Sequence, residues 1–487
     1  MNTLVNESNV YNNPPKSLAG NRTEIERIAD FAAHAQPYHL SSAVRNLYKR
    51  NILDSIGCAI AALPGLPFQA LREQFGEYRA SESCTLIGGG KTSPDQAALF
   101  NCALVRYVDL LDTYMSPGGL CHPSDNFGVV LSAAEYAGAT GEEFMLALAI
   151  AYEIQCRFTA AVPVMAKGFN HALQLAMSAA AGTGKLMGLS SLQIANAIAI
   201  TAIDNVSLAN LHAEPVSQWK GFSPGMTGMR AIYAASLAKR GFTGPLGLVE
   251  GPKGLEHMFA QRISANWEDP SLNFITRTVL KKYSSLIHGQ PVLEAVLNLR
   301  QGQHLSALDV ERVRCSIFQA GFDIAGGGSY GSKEDPRLKE QGDYNLKYLI
   351  AAALVDGQVG PEQLEPSRIQ APAIRTIFQK IEVLPDEELT GRYPGELCAR
   401  ITIWTKDGRV LTREQLGYEG GLGQPMSWER TVEKFHWLSE AFADLALRNR
   451  IIEAVEELDA KPLSKLIAPL TKVKMSPIYP RRHPGIQ

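Results

Sequence analysis

A series of Ala-rich apolar segments in the first half of this 487-residue chain constrains its fold more than any other feature. Capping boxes, in which two side chains satisfy free backbone N–H groups at a helix start, are predicted at Thr23–Glu26, Thr140–Glu143 and Ser190–Gln193. Apolar residues then recur at helical spacing almost as far as residue 240. The segments 128–164 and 171–210 are broken by charged residues, so we expect buried core helices rather than membrane spans.

The pattern of apolar and polar residues changes near residue 274. Two stretches, "VERVRCSIFQAGFDIA" and "ELCARITIWTKDGRVLTRE", alternate apolar and polar residues, and Asp407-Gly408 within the second is a strong hairpin signal. The predicted fold class is therefore mainly α with a smaller α+β domain. The predicted domains are a disordered arm over 1–20, an all-helical domain over 21–273, an α+β lid over 274–425, and C-terminal helices over 426–487 that pack back on the helical domain.

Composition excludes several classes of protein. The 47 basic and 49 acidic side chains leave a net charge of −2, which indicates neither a nucleic-acid nor a membrane partner. The seven cysteines form no CxxC pair, so a zinc or iron–sulfur site built on cysteines is not expected. With no signal-peptide start, a reducing, cytoplasmic location is predicted.

Two glycine-rich motifs suggest nucleotide binding, but they lack the neighbouring residues or the following helix that such a site needs. "GTGK" at Gly182–Lys185 has Ala179 in place of the first P-loop glycine, and Leu186 stands where a Ser or Thr should bind Mg²⁺. "GGGSYG" at Gly326–Gly331 is followed by a Pro-containing polar segment rather than a helix. We interpret the first as a helix-ending turn and the second as a flexible loop.

The segment 108–126, "VDLLDTYMSPGGLCHPSDN", places polar side chains between two apolar helices. If the helix that begins near residue 94 continues to about residue 111, Asp109 and Thr113 share one face near its end. A carboxylate is unfavourable there because of the helix dipole, which suggests a raised pKa or a bound partner. His122 follows a Gly-Gly turn, and Ser124 or Asp125 is predicted to cap the next helix.

Alternative interpretations of this segment are simple turn and capping residues with one exposed histidine, or a divalent-metal site without a standard ligand spacing. Similar polar clusters occur elsewhere. The further candidates are His171, which begins another Ala-rich helix, Lys220 beside Trp219, and the domain-junction residues Lys281, Lys282, Tyr283 and His288.

Together these residues resemble the MmgE/PrpD family, from about Thr23 to about Lys465. "VDLLDTY…HPSDNFG" resembles that family's Asp-rich helix end and His-Pro-Ser-Asp block. "WKGFSPGMTGMRAIYAASLAKRGFTGP", "LKKYSSLIHGQPVLEAV" and "GGGSYGSK…GDYNLKYLIAAALVDGQ" resemble its Trp-Lys-Gly helix, its Lys-x-Tyr…His-x-Gln segment and its lid loop.

The resemblance implies a homodimer, no metal or organic cofactor, and a site for a tri- or dicarboxylate between the two domains. It implies a pocket formed by Asp109, Thr113, His122, His171, Lys220 and Lys281, with Tyr283, His288 and Ser124 as further substrate contacts. It implies a dehydratase that removes water from 2-methylcitrate or a longer 2-alkylcitrate. Lysines would hold carboxylates, Asp109 or His122 would act as base, and the other or His171 would act as acid.

The chain departs from the family pattern at two places. Leu286 stands where dehydratase-type members often carry Glu, and Asp343-Tyr344 stands where they often carry Asp-His. We expect a less polar lid and therefore a longer alkyl group on the substrate. The alternatives are a cis-aconitate-type decarboxylase, an isomerase or epimerase that shares the first proton abstraction, and a non-enzymatic helical interaction protein.

Overall fold

The computed structural model describes residues 22–476 except 79, 80, 118 and 206. The predicted disordered arm over 1–20 lies outside these residues. The helices of the larger, helical part are α1 Glu24–His34, α2 Ser42–Ala62, α3 Leu66–Glu77, α4 Pro94–Tyr107, α5 Asp125–Ala137, α6 Gly141–Ala161, α7 Ala172–Leu186, α8 Ser191–Ile203, α9 Trp219–Lys239 and α10 Leu255–Phe259. Its short strands are β1 Cys84–Thr85, β2 Lys91–Thr92, β3 Thr113–Ser116, β4 Gly119–Cys121 and β5 Thr278–Val279.

The predicted helix starts are confirmed. All three capping boxes have both reciprocal hydrogen bonds, at the starts of α1, α6 and α8. Helix α6 is long and apolar enough to cross a membrane, but 89% of its apolar 18-residue stretch is buried inside the protein. This burial is typical of a core helix in a globular protein.

The smaller part, which we call the lid, mixes helices with one four-stranded sheet. Its elements are α11 Gln290–Gly302, β6 Val310–Ile317, α12 Gln319–Ala325, α13 Lys339–Gly342, α14 Leu346–Asp356, α15 Pro366–Ile369, α16 Pro372–Phe378, β7 Ile381–Pro385, α17 Glu387–Arg392, β8 Cys398–Thr405 and β9 Val410–Leu416. The strand order is β7-β6-β8-β9, in which only β6 and β7 are parallel. Gly408 turns the predicted hairpin between β8 and β9 with a φ of 87°.

Two large hydrophobic cores hold most of the buried apolar side chains among the described residues, and a third small cluster comprises Tyr114, Cys121 and Cys156. One core takes side chains from 25–275 and again from 435–473, and the other takes side chains from 279–418. The closing helices α18 Trp428–Ser439, α19 Leu445–Glu456 and α20 Ser464–Leu470 belong to the first core, and α18 packs against α2. Strand β5 pairs with β3, and this pairing carries the chain from the helical part into the lid.

Helices α4 and α5, which flank the polar segment, approach each other very closely at Gly128. A Cβ atom added there would lie 2.3 Å from the backbone nitrogen of Cys102 and 2.4 Å from the carbonyl carbon of Asn101. Only a glycine allows these two backbones to touch, and the contact sets the positions from which the polar segment leaves one helix and enters the other.

We therefore expect Gly128→Ala to lower the free energy of unfolding by about 1–3 kcal/mol or more, because the added methyl group must separate two buried backbones. Gly76→Ala is the matched control, since a Cβ atom there, at an exposed position of α3, meets nothing within 4 Å. That control should be neutral or stabilise by about 0.5–1 kcal/mol. Urea denaturation of both variants tests this, and equal effects would contradict it.

Candidate active site

The end of α4 places the carboxylate of Asp109 inside the protein. The helix ends at Tyr107, and Asp109 has a φ of 49°, in the left-handed region that non-glycine residues seldom adopt. Thr113 lies in strand β3 rather than on a helix. The expectation that Asp109 and Thr113 share a helical face was therefore wrong, because the chain turns sharply out of the helix toward the buried cations.

Three cations surround Asp109. Its Oδ1 accepts from Arg106 Nη1 at 2.9 Å and from Lys281 Nζ at 2.6 Å, and its Oδ2 accepts from Lys220 Nζ at 3.2 Å. Burial alone would raise the pKa of Asp109, but Lys281, Arg106 and Lys220 together hold it well below its ordinary value. Asp109 is thus a permanent anion and a weak base.

A second carboxylate, from the lid, extends this cluster. Lys220 Nζ donates to Asp343 Oδ1 at 2.6 Å, and Lys339 Nζ donates to Asp343 Oδ2 at 2.7 Å. The same Lys220 ammonium lies 3.7 Å from the centre of the Tyr344 ring. Burial lowers the pKa of Lys220 to about 8, although the carboxylates of Asp343 and Asp109 oppose this.

The cluster carries more positive than negative groups. Its cations are Arg106, Lys220, Lys281 and Lys339, and its carboxylates are Asp109 and Asp343. Glu340 lies farther away, 3.9 Å from Lys339. Since buried charge is stable only when it is compensated, this surplus favours the binding of an anion.

His122 is held in one tautomer by the backbone. Its Nδ1 lies 2.7 Å from the carbonyl oxygen of Asp112 and 3.2 Å from Thr113 Oγ1. A carbonyl only accepts, so Nδ1 carries the hydrogen and Nε2 has a free lone pair. Burial, followed by the charges of Arg106 and Lys281, lowers the pKa of His122 well below its ordinary value, so the ring is uncharged at neutral pH.

Ser124 holds the side chain of Asp112, the residue whose carbonyl oxygen contacts His122. Its backbone N–H and its hydroxyl donate to Asp112 Oδ1 at 3.0 and 2.6 Å, while Asn51 Nδ2 donates to Asp112 Oδ2 at 3.1 Å. Ser124 occupies the cap position of α5 but makes no side-chain cap bond there. The structure therefore places it against Asp112, which fixes the carbonyl group that His122 contacts.

His171 meets His122 edge to face, with ring centres 4.9 Å apart. Its Nε2 lies 3.8 Å from Asp125 Oδ2, and neither Nε2 nor the Asp125 oxygens have a hydrogen-bond partner among the described residues. Burial lowers the pKa of His171 to about 3 and raises that of Asp125 to about 8. Both side chains are uncharged at neutral pH.

Of these groups, His122, His171, Lys281 and Tyr344 border one small cavity between the helical part and the lid, which has room for about one water molecule. Its lining includes both apolar and polar side chains. The apolar side chains are those of Leu120, Met165, Leu286, Ile287 and Ile324, and the polar side chains are those of His122, Asn170, His171, His212, Lys281, His288 and Tyr344.

Of the predicted substrate contacts, His288 borders the cavity and Tyr283 does not. His288 borders the cavity, with Nε2 3.3 Å from the Tyr393 hydroxyl, and burial, reinforced by Lys281, lowers its pKa to about 4. Tyr283 points away, because its hydroxyl donates to Glu294 at 2.6 Å beside a surface groove.

Four residues of the site were not predicted from the sequence: Arg106, Asn170, His212 and Lys339. Arg106 stands three residues before Asp109, and Asn170 precedes His171, so both were near recognised residues. His212 and Lys339 had no local signal.

In residues 22–476, apart from the four not described, no group of three or more His, Cys, Asp or Glu side chains is arranged to hold a metal ion.

The buried cluster of cations and histidines between a large helical domain and an α+β lid defines a two-domain enzyme. The chain belongs to the MmgE/PrpD family. The model of the family's N-terminal domain matches residues 26–268, and that of its C-terminal domain matches residues 283–460.

Several relatives are named for their activity. The chain is 26% identical to 2-methylcitrate dehydratase of Escherichia coli K12 over 399 residues, which cover 76% of this chain and 80% of the relative. It is 24% identical to that of Cupriavidus necator, over 81% and 85% of the two chains. It is also 23% identical to the cis-aconitate decarboxylase-like protein oryM of Aspergillus oryzae, over 91% and 96%. Two of these three relatives are thus named as dehydratases, which are hydro-lyases, and the third is named as decarboxylase-like.

We expect Asp109→Asn to lower the free energy of unfolding at pH 7 by about 3–5 kcal/mol, because it leaves buried cations without their shared counter-ion. Asp335→Asn is the control, since Asp335 is exposed and its ion pairs with Arg337 and Arg375 lie at the surface, where such pairs contribute little. Urea denaturation measures both variants. An Asp109→Asn variant as stable as the control would contradict the central role of this carboxylate.

Proposed function

We propose that the protein removes water from 2-methylcitrate or a longer 2-alkylcitrate to give the alkyl-cis-aconitate. The observation that carries the proposal is a buried cluster with a surplus of cations, one of which, Lys281, borders a cavity lined by uncharged histidines. A tricarboxylate would supply the missing negative charge. The names of the dehydratase relatives support the same reaction class and substrate.

The elimination needs a base for the proton on the carbon next to a carboxylate. His122 and His171 are suited to this role, because each is uncharged and His122 has a free Nε2 lone pair. Asp109 is unsuited, because both of its carboxylate oxygens are already hydrogen-bonded to cations. We therefore prefer a histidine base to Asp109.

Lys281 is suited to act as the acid. Its ammonium group borders the cavity and uses two hydrogen bonds on Asp109, at 2.6 Å to Oδ1 and 3.2 Å to the carbonyl oxygen, which leaves a third N–H free. Burial lowers its pKa, which makes it a stronger acid. The base takes the carbon-bound proton, the C–O bond breaks, and the hydroxide leaves as water with a proton from Lys281.

The apolar side chains of the cavity support an alkyl group on the substrate. Leu286, Ile287 and Ile324 line the same cavity as Lys281 and the histidines, so both an alkyl group and carboxylates would find partners there. The cavity is smaller than such a substrate, and entry therefore requires the lid to move away from the helical domain.

Decarboxylation of cis-aconitate is the second candidate. It is favoured by the relative oryM, which is named for such an activity and aligns over 91% of this chain. The same cations would hold the carboxylates, but the reaction would release CO₂ instead of water. An epimerase or isomerase would share only the first proton abstraction.

The first test is to incubate chelator-treated protein with citrate, 2-methylcitrate, a hexylcitrate and cis-aconitate. Turnover is monitored by the ultraviolet absorbance of the reaction and by the mass of the product. We expect loss of water from an alkylcitrate, with the rate ranking the chain length. His122→Gln should abolish turnover, whereas His257→Gln, at an exposed position of α10, should not. Loss of CO₂ from cis-aconitate would favour the second candidate, and no turnover would contradict both.

The second test is the pH dependence of kcat/KM. As pH rises through about 8, Lys220 loses its positive charge and Asp125 gains a negative charge. Both changes make the site less positive, so kcat/KM for an anionic substrate should fall. Lys220→Arg and Asp125→Asn should each weaken this decline, and the double variant should weaken it most, although deprotonation of the acid Lys281 still contributes. An unchanged decline in the double variant would contradict this assignment.

A further inference from the structure

The amide of Asn170 has one possible orientation. Its Oδ1 lies 2.9 Å from the backbone nitrogen of Ala172, and a backbone N–H only donates, so that atom must be the oxygen. His171 Nδ1 lies 3.2 Å from the same oxygen and therefore donates to it. The Asn170 Nδ2 group, which can only donate, lies 2.8 Å from His212 Nε2, and His212 therefore accepts there.

One side chain thus sets two tautomers. His171 and His212 both carry their hydrogen on Nδ1, but they face the amide with opposite nitrogens. For His171 this leaves the Nε2 lone pair free beside the cavity. For His212 it leaves the Nδ1–H group free, and this atom is buried without a hydrogen-bond partner among the described residues.

His212 is held rigidly in this position. It ends a short 3₁₀ helix, Ala209–His212, and its ring stacks on Tyr344 with centres 5.2 Å apart and planes 5° apart. Burial, followed by the charge of Lys220, lowers the pKa of His212 well below its ordinary value. The uncharged ring can donate a hydrogen bond but is not an acid strong enough to give up its last proton.

We propose that His212 is a hydrogen-bond donor to a carboxylate oxygen of the substrate, and that Asn170 is the positioning residue that keeps its Nδ1–H group directed into the cavity. This inference rests on the proposed function. When the base removes the carbon-bound proton, the electron pair spreads onto that carboxylate. His212 stabilises the added charge and keeps its own proton throughout, so it leaves the atom balance unchanged.

The tautomers can be measured without any substrate. In protein labelled with ¹⁵N-histidine, the imidazole nitrogen shifts should show the Nδ1–H form for His171 and His212, with His171→Gln and His212→Gln used for assignment. Asn170→Asp should convert His212 to the Nε2–H form, because a carboxylate only accepts, and should leave His171 unchanged. An Nε2–H form of His212 in the unaltered protein would overturn the proposal, whatever its activity.

Kinetics with the substrate identified by turnover test the role of the donor. His212→Ala should lower kcat by about 10²–10³-fold with a smaller change in KM, as for loss of one donor to a developing anion. His212→Asn should recover part of this loss, because its amide N–H can occupy the place of Nδ1–H. Equal activity of the Ala and Asn variants would overturn the donor role while leaving the proposed dehydration intact.

Discussion

The binding of one buried carboxylate, Asp109, to three cations is the interaction on which the rest of the site depends. Arg106 comes from α4, Lys220 from α9 and Lys281 from the segment after β5. Because a single anion binds all three, elements distant in sequence meet at one point. Lys220 also binds Asp343, so the same cluster joins the helical domain to the lid. Such a group of buried charges is stable only when it is complete.

The histidines beside this cluster remain uncharged because burial lowers their pKa values and the neighbouring cations lower them further. Their tautomers follow from backbone groups whose roles cannot change. The Asp112 carbonyl can only accept from His122, and the Ala172 N–H group orients the Asn170 amide between His171 and His212. Free lone pairs and fixed positive charge therefore coexist in one cavity.

The features that were predicted correctly depend on residues close together in sequence. The capping boxes need two side chains three residues apart, and the hairpin at Gly408 needs only its turn. The end of α4 was placed too late, because the course of the chain at Asp109 depends on Lys220 and Lys281, more than a hundred residues away. The position of His212 beside the cavity was missed for the same reason, since its partner Asn170 is 42 residues distant.

The lid contributes both apolar and charged side chains to the site. Leu286 lines the cavity, whereas Asp343 and Lys339 carry charge into the buried cluster and Tyr344 contacts both Lys220 and His212. The lid therefore completes the cation cluster and also supplies apolar side chains to the cavity. A ligand in this cavity meets the cation Lys281, several histidines and hydrocarbon, so a molecule with both anionic and alkyl groups would find partners for each.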